Sequence, residues 1–169
     1  MKTIAFAGSN SSTSINQQLI EYAVELINNV ELIKLTDYKT VIYSEDTEKE
    51  SGIPEAIKQL NTKLSEADKL IISVNEHNGN ISAFFKNILD WLSRNKRSFL
   101  ADKKVLLLST SPGANGAKSA LAIAEKTLPY FGATILNTFS LPSFYDNFKD
   151  GKIVNEEANQ QLLKMIKKF

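Results

Sequence analysis

The chain has 169 residues, with 20 Lys+Arg against 19 Asp+Glu, 43% hydrophobic residues and no cysteine, the profile of one ordinary domain read here as spanning residues 1–169. A core burying about 70% of the surface of the unfolded chain needs neither disulfides nor metal staples. Thiolate nucleophiles, iron–sulfur ligation and thiolate zinc sites are excluded, and a formal charge of +1 supplies no field for nucleic acid.

The start, Met1-Lys2-Thr3-Ile4-Ala5-Phe6-Ala7-Gly8, is apolar only as far as Ser9-Asn10-Ser11-Ser12. It reads as a buried first strand over 2–8, too short for a secretory core. Further strands are predicted at 30–35, 69–74, 103–109 and 133–139. Between them lie amphipathic helices marked by Leu19, Ala23, Leu26 and Ile27, then by Ile53, Ile57, Leu60 and Leu64. Phe84, Phe85, Ile88, Leu89 and Leu92 mark a third, Leu121, Ala124 and Leu128 a fourth, and Leu162, Leu163 and Ile166 the last. Residues 36–52 and 140–154 are polar and read as long surface connections. No run approaches the roughly 18 apolar residues of a membrane span, so the expected location is the cytoplasm. Strands alternating with helices predict a three-layer α/β sandwich on a five-stranded parallel sheet of order 2-1-3-4-5, with the more polar strands two and five at the edges. Ligands of such sheets bind beyond the carboxyl ends of the strands where the winding reverses, which points to the loops after strands one, three and four.

The first of these loops, Gly8 to Asn16, holds Ser9, Ser11, Ser12, Thr13, Ser14, Ile15 and two asparagines. Hydroxyls beside the free N–H groups of a helix start suit a phosphate. It has neither the lysine of the triphosphate loop nor the G-x-G-x-x-G dinucleotide spacing, so a monophosphate fits better. Ser and Asn capping the helix is the equally open alternative. The second loop, Asn75-Glu76-His77-Asn78-Gly79-Asn80-Ile81-Ser82, offers a polar edge and an imidazole on which a flat heterocycle can lie, or is simply an Asn-Gly turn. The third, Ser109-Thr110-Ser111-Pro112-Gly113-Ala114-Asn115-Gly116-Ala117, allows close backbone approach. Serine hydrolysis is not supported, because the G-x-S-x-G elbow is missing and His77 sits on another loop.

In order and placement these three loops resemble the NAD(P)H-dependent FMN reductases of flavodoxin-like fold, a group that includes azoreductases, quinone reductases and chromate reductases. Gly8, Ser9, Ser14 and Asn16 match G-S-x-R-x-x-S-x-N. Glu76, Asn78, Lys86, Asn87, Asp90 and Trp91 match P-E-Y-N-x-x-x-P-x-x-L-K-N-x-x-D-W, and Ser109, Ser111, Pro112, Gly113 and Gly116 match S-x-S-P-G-x-x-G-G. The resemblance implies FMN with its phosphate at Ser9, Ser11, Ser14, Ile15 and Asn16. It places the ring beside Asn75, Glu76, His77, Asn78 and Gly79, and the pyrimidine edge near Ser111, Gly113 and Gly116. Ser11 stands where the family has Arg, which removes a charge-assisted bond. Asn75 and His77 replace its Pro and Tyr, Ser82 its later Pro and Ala117 its last Gly.

The same resemblance implies hydride transfer from NAD(P)H to flavin, then electron delivery to a small quinone, azo, nitro or flavin acceptor by a ping-pong sequence. No protein acid or base is needed, and no catalytic residue or metal site is assigned. A homodimer or homotetramer is implied, whereas the pair Asp90-Trp91 reads as a packing or subunit contact. The competing reading is a flavodoxin-type electron carrier, which binds FMN without oxidising nicotinamide. Such carriers are strongly acidic and carry T-x-T-G-x-T, unlike this chain. A phosphoacceptor receiver domain would need carboxylates at the ends of strands one and three, and neither is present.

Overall fold

The computed structural model describes residues 1–169, and its inner strands form where continuous apolar runs leave no polar face. Its elements are β1 (Thr3–Ala7), α1 (Ile15–Glu25), β2 (Val30–Leu32), α2 (Glu45–Ser51), α3 (Glu55–Ser65) and β3 (Lys69–Val74). They continue with β4 (Glu76–His77), β5 (Asn80–Ile81), α4 (Ala83–Asn95), β6 (Lys104–Thr110), α5 (Lys118–Thr127) and β7 (Thr134–Leu141). The chain closes with α6 (Phe144–Asn147), β8 (Phe148–Lys149), β9 (Lys152–Ile153) and α7 (Glu156–Ile166). The main sheet has the order β2-β1-β3-β6-β7, with every pair parallel. This is the predicted order, since β4 and β5 form a separate hairpin.

Successive strand residues point to opposite faces, so each inner strand feeds two cores. Ile4 and Phe6 of β1, Leu70 and Ile72 of β3, and Val105 and Leu107 of β6 pack under α3, α4 and α5. Ala5, Ile71, Leu106 and Leu108 pack under α1 and α7. The layers are therefore helix, sheet and helix. Register pairs Ala7 with Ser73 and Val74 with Ser109, so the loops leaving β1, β3 and β6 emerge along one edge.

Two predicted connections are corrected. Residues 36–52 start within a 3-10 turn, Leu35–Asp37, and contain the helix α2, which Ser44 starts by accepting a hydrogen bond from the Thr47 N–H. Residues 140–154 carry the end of β7, α6 and a β-hairpin, and Leu141, Phe144, Phe148 and Ile153 are buried in the core beneath α1 and α7. Each apolar residue there sits on a different short element, which erases any period. The second loop is likewise a short hairpin, and α1 ends at Glu25, before the predicted Leu26 and Ile27. Trp91 is fully buried, donates its indole N–H to the Val41 carbonyl at 2.9 Å and meets Tyr43 edge to face at 5.1 Å. Its neighbour Asp90 pairs with Lys86 one turn earlier. In this chain Trp91 is a packing residue that straps the segment after β2 onto α4.

The turn after β1 has no room for a side chain. The Gly8 N–H donates to Ser73 O at 2.8 Å, its carbonyl accepts from Ser82 Oγ at 2.8 Å, and a Cβ there would lie 2.8 Å from Phe85 Cγ. Gly8→Ala should therefore destabilise the protein by about 2 kcal/mol through overpacking against a buried ring. The measurement is a urea midpoint that falls while the slope stays constant; an unchanged midpoint refutes the close-packing argument.

Candidate functional site

The three loops meet at the carboxyl edge of β1, β3 and β6 and enclose two adjoining cavities. One, of about 410 Å³, lies between the first loop and the segment after β2, and includes Ser9, Ser11, Ser12, Ser14, Gln17 and Lys34 in its wall. The other, of about 290 Å³, lies between all three loops and is bordered by Asn16, Asn75, His77, Ser111, Pro112 and Tyr145 among others. Ser9, Ser11 and Ser14 line both, so the first loop is their shared partition.

Ser14 caps α1, its Oγ accepting the Gln17 N–H at 3.2 Å. The N–H groups of Ile15 and Asn16 have no acceptor within the protein, and these orphan donors, at the positive end of the helix dipole, face the loop. Ser9 Oγ accepts from the Ser11 N–H, and Ser11 Oγ from the Thr13 N–H, both at 3.3 Å. The loop thus holds its own hydroxyls in place. Such a collection of neutral donors can take up an anion.

Asn16 differs from its neighbours. It is buried, and its Nδ2 donates to the Thr110 carbonyl at 3.1 Å while its Oδ1 accepts from Ser73 Oγ at 2.9 Å and from the Thr110 N–H at 3.1 Å. The amide oxygen takes two hydrogen bonds and the amide nitrogen gives one, joining α1 to the ends of β3 and β6. The side chain of this predicted ligand residue serves the frame, and its backbone N–H is a donor without an acceptor within the protein.

In the second loop, Asn75 is buried and its Nδ2 lies 3.2 Å from His77 Nε2, which leaves its Oδ1 an acceptor without a donor. Glu76 Oε2 accepts the Ala120 N–H at 3.0 Å. That contact caps α5, whose own cap residue, Ala117, has no side-chain oxygen and a φ of 61°. Asn78 and Gly79, at φ of 53° and 74°, form the two-residue turn of the β4–β5 hairpin. They line neither cavity.

In the third loop, Ser111 borders the cavity with its Oγ donating to Gly113 O at 3.2 Å. Gly113 and Gly116 shape the loop from behind. The Gly113 carbonyl accepts the N–H groups of Gly116 and Ser143, and that of Gly116 accepts from Ser109 and Ser140 hydroxyls at 2.8 and 2.9 Å. Of the predicted residues, Ser9, Ser11, Ser14, Ile15, Asn16, Asn75, Glu76, His77 and Ser111 are brought together. Asn78, Gly79, Gly113 and Gly116 stand outside, as turn formers.

Lys34, Thr36 and Tyr145 also line the cavities and were not predicted. The first two follow an edge strand, and Tyr145 lies in a segment whose polar composition conceals its buried neighbours. No cluster of three or more His, Asp or Glu side chains is placed to hold a metal ion. No helix is long and apolar enough to cross a membrane.

Comparison with known proteins gives a consistent picture. Residues 1–146 match the NADPH-dependent FMN reductase family model. The MG342 homolog of Mycoplasma pneumoniae is 35% identical over 144 residues, covering 82% of this chain and 86% of that protein. An NADPH:quinone oxidoreductase of Arabidopsis thaliana is 26% identical over 181 residues, 98% and 88% of the two chains. Among solved structures, the flavoenzyme NAD(P)H:(acceptor) oxidoreductase FerB of Paracoccus denitrificans superposes with a TM-score of 0.80 at 23% identity, covering 99% and 94%.

The Asn16 clamp can be tested without any ligand. Asn16→Ala leaves the Ser73 hydroxyl and both backbone groups of Thr110 without partners in a buried setting, and should cost about 3 kcal/mol of stability. A denaturation midpoint within experimental error of the wild type contradicts the assignment.

Proposed function

The chain belongs to the NADPH-dependent FMN reductase family, and on that premise we propose that its loop edge holds FMN as an NAD(P)H-dependent oxidoreductase acting on small quinone, azo, nitro or flavin acceptors. The observation that carries this reading is the set of unpaired donors at the start of α1 opening into a cavity bordered by all three loops. Ser9, Ser11 and Ser14 hydroxyls with the Ile15 and Asn16 N–H groups would hold the phosphate. Asn75, Glu76, His77 and Ser111 would border the ring, with Asn75 Oδ1 as an unused acceptor in the wall. Asn78, Gly79, Gly113 and Gly116 would contribute by fixing loop shape.

The donor set fits such a group chemically, since hydroxyls and N–H groups serve the anionic end and a cavity flanked by His77, Pro112 and Tyr145 serves a flat one. Bound FMN supplies the redox chemistry, taking a hydride equivalent from the nicotinamide and releasing electrons to the acceptor. The protein's own part is orientation and donation of hydrogen bonds. None of its carboxylates or its imidazole is assigned a proton to move. Donor and acceptor would use the same open mouth in turn, which gives ping-pong kinetics. The Arabidopsis relative's name supports a quinone among the acceptors. A single domain, a homodimer or homotetramer and a cytoplasmic location belong to the same reading.

Anaerobic NADPH added to the FMN-loaded protein should bleach the visible flavin absorption within the mixing time of a hand-run assay. Binding of FMN without bleaching makes the protein a carrier instead. Initial rates plotted reciprocally at several acceptor concentrations should run parallel, and converging lines contradict the shared mouth. Joint replacement Ser9→Ala and Ser11→Ala should weaken FMN binding about thirtyfold and leave riboflavin binding unchanged, since about 1 kcal/mol is expected for each of the two neutral hydrogen bonds. Equal binding of FMN and riboflavin by the wild type refutes the phosphate placement.

A further inference from the structure

The first cavity has a charge pattern that the family motifs do not describe. Its wall is built from neutral hydroxyls and amides together with one ionic side chain, Lys34. The adjoining cavity has Glu76 as its one charged side chain, and that carboxylate accepts the Ala120 N–H at 3.0 Å. Lys34 is therefore the single cation lining either space.

Its placement is fixed by its neighbours. The Ile33 N–H donates to Ala5 O at 2.9 Å, tying this stretch to β1. Ile33 and Leu35 are buried at 9% and 2% exposure, so the residue between them is turned outward at the mouth of the first loop. The Lys34 carbonyl accepts the Asp37 N–H at 3.1 Å and starts the 3-10 turn, which holds the backbone. The ammonium forms no salt bridge, so no carboxylate of the protein competes for it.

A phosphate monoester among neutral donors keeps most of its charge uncompensated, and a cation at hydrogen-bond range contributes more than any one hydroxyl. We propose that Lys34 is the counter-ion of a phosphate-ester subsite at the loop that separates the two cavities, reaching from the first of them toward the Ser9, Ser11 and Ser14 hydroxyls that line both. The proposal rests on the FMN reading above and deepens it. Two ligands of the reaction carry the required chemistry: the flavin through its 5′-phosphate, and NADPH through the 2′-phosphate that NADH lacks.

The test uses the full chain, stripped of flavin, as wild type, Lys34→Gln and Lys34→Arg. Flavin fluorescence titration gives affinities for FMN and riboflavin, and equilibrium binding to the FMN-loaded protein gives those for NADP⁺ and NAD⁺. With the flavin phosphate in the subsite, Lys34→Gln weakens FMN about tenfold, leaves riboflavin unchanged, and is largely rescued in Lys34→Arg. The salt dependence of FMN binding flattens in the same variant. With the donor phosphate there instead, NADP⁺ alone is weakened while FMN and NAD⁺ are not.

Unchanged affinity for all four ligands overturns the proposal, and so does an equal loss for FMN and riboflavin, or for NADP⁺ and NAD⁺. The underlying reading fails separately. If the wild type binds FMN no better than riboflavin, the phosphate assignment itself falls. If it prefers FMN, loses that preference in the Ser9→Ala and Ser11→Ala protein, and keeps both that preference and its NADP⁺ affinity in Lys34→Gln, the FMN reading stands and only the role of Lys34 is withdrawn.

Discussion

Everything at the loop edge depends on the strand ends being held at one level, and the buried amide of Asn16 ties two of them, those of β3 and β6, to α1. One side chain from the first turn of α1 bonds Ser73 at the end of β3 and both backbone groups of Thr110 at the end of β6. A parallel sheet leaves the residues at its carboxyl edge with unmet backbone groups just where the chain must turn into loops. Water could satisfy them, but then the loops would float. An amide offers two acceptor lone pairs and two donors at fixed angles, so it joins strand and helix with a geometry that a hydroxyl cannot reproduce.

The β-α rhythm was readable because strands covered on both faces are continuously apolar and helices covered on one face are periodic. Strand order was suggested by the count of five strands alternating with helices. Short elements were hidden. Phe144, Phe148 and Ile153 are all buried, yet they stand on a one-turn helix and two-residue strands, so no period connects them. At the site, residue types marked the three loops that meet at the carboxyl edge, and the contact each side chain makes was not legible. Ser14 both caps α1 and lines the cavities, so the two readings of the first loop are compatible. Asn16 carries a predicted site position but spends its side chain on the frame. Lys34 was invisible because nothing in a single lysine after an edge strand indicates that its flanking residues are buried and its backbone is turned toward another loop.

Charge is distributed along the strands in a way that separates stability from chemistry. At the amino end of the sheet Lys2 bridges Glu31 at 3.0 Å, and Lys63 bridges the same carboxylate at 2.8 Å. The hydrogen bond from Lys63, followed by that from Lys2, holds the Glu31 carboxyl below its usual range, and both ammonium groups are held above theirs. Lys103 lies nearby with its Nζ donating to Ala67 O at 2.7 Å, and burial pushes it down. The two cavities at the carboxyl end, by contrast, are lined by hydroxyls, amides, one tethered carboxylate and one ammonium without a salt bridge. A nearly neutral rim suits a ligand that brings its own charge, since strong resident ions would have to be desolvated against it.

The tethered carboxylate shows how the second and third loops depend on each other. Helix α5 begins after Gly116 and Ala117, both at positive φ, with no oxygen of its own to cap its first N–H groups. Glu76 supplies that oxygen from the β4 strand. The carboxylate is favoured there by the helix dipole, and in the same contact it fixes the separation between the hairpin carrying His77 and the turn carrying Ser111. A group that a motif search would nominate for proton transfer is thereby occupied in spacing two walls. Its loss would release the third loop from the second and widen the opening between them, which makes the width of the mouth a consequence of helix capping.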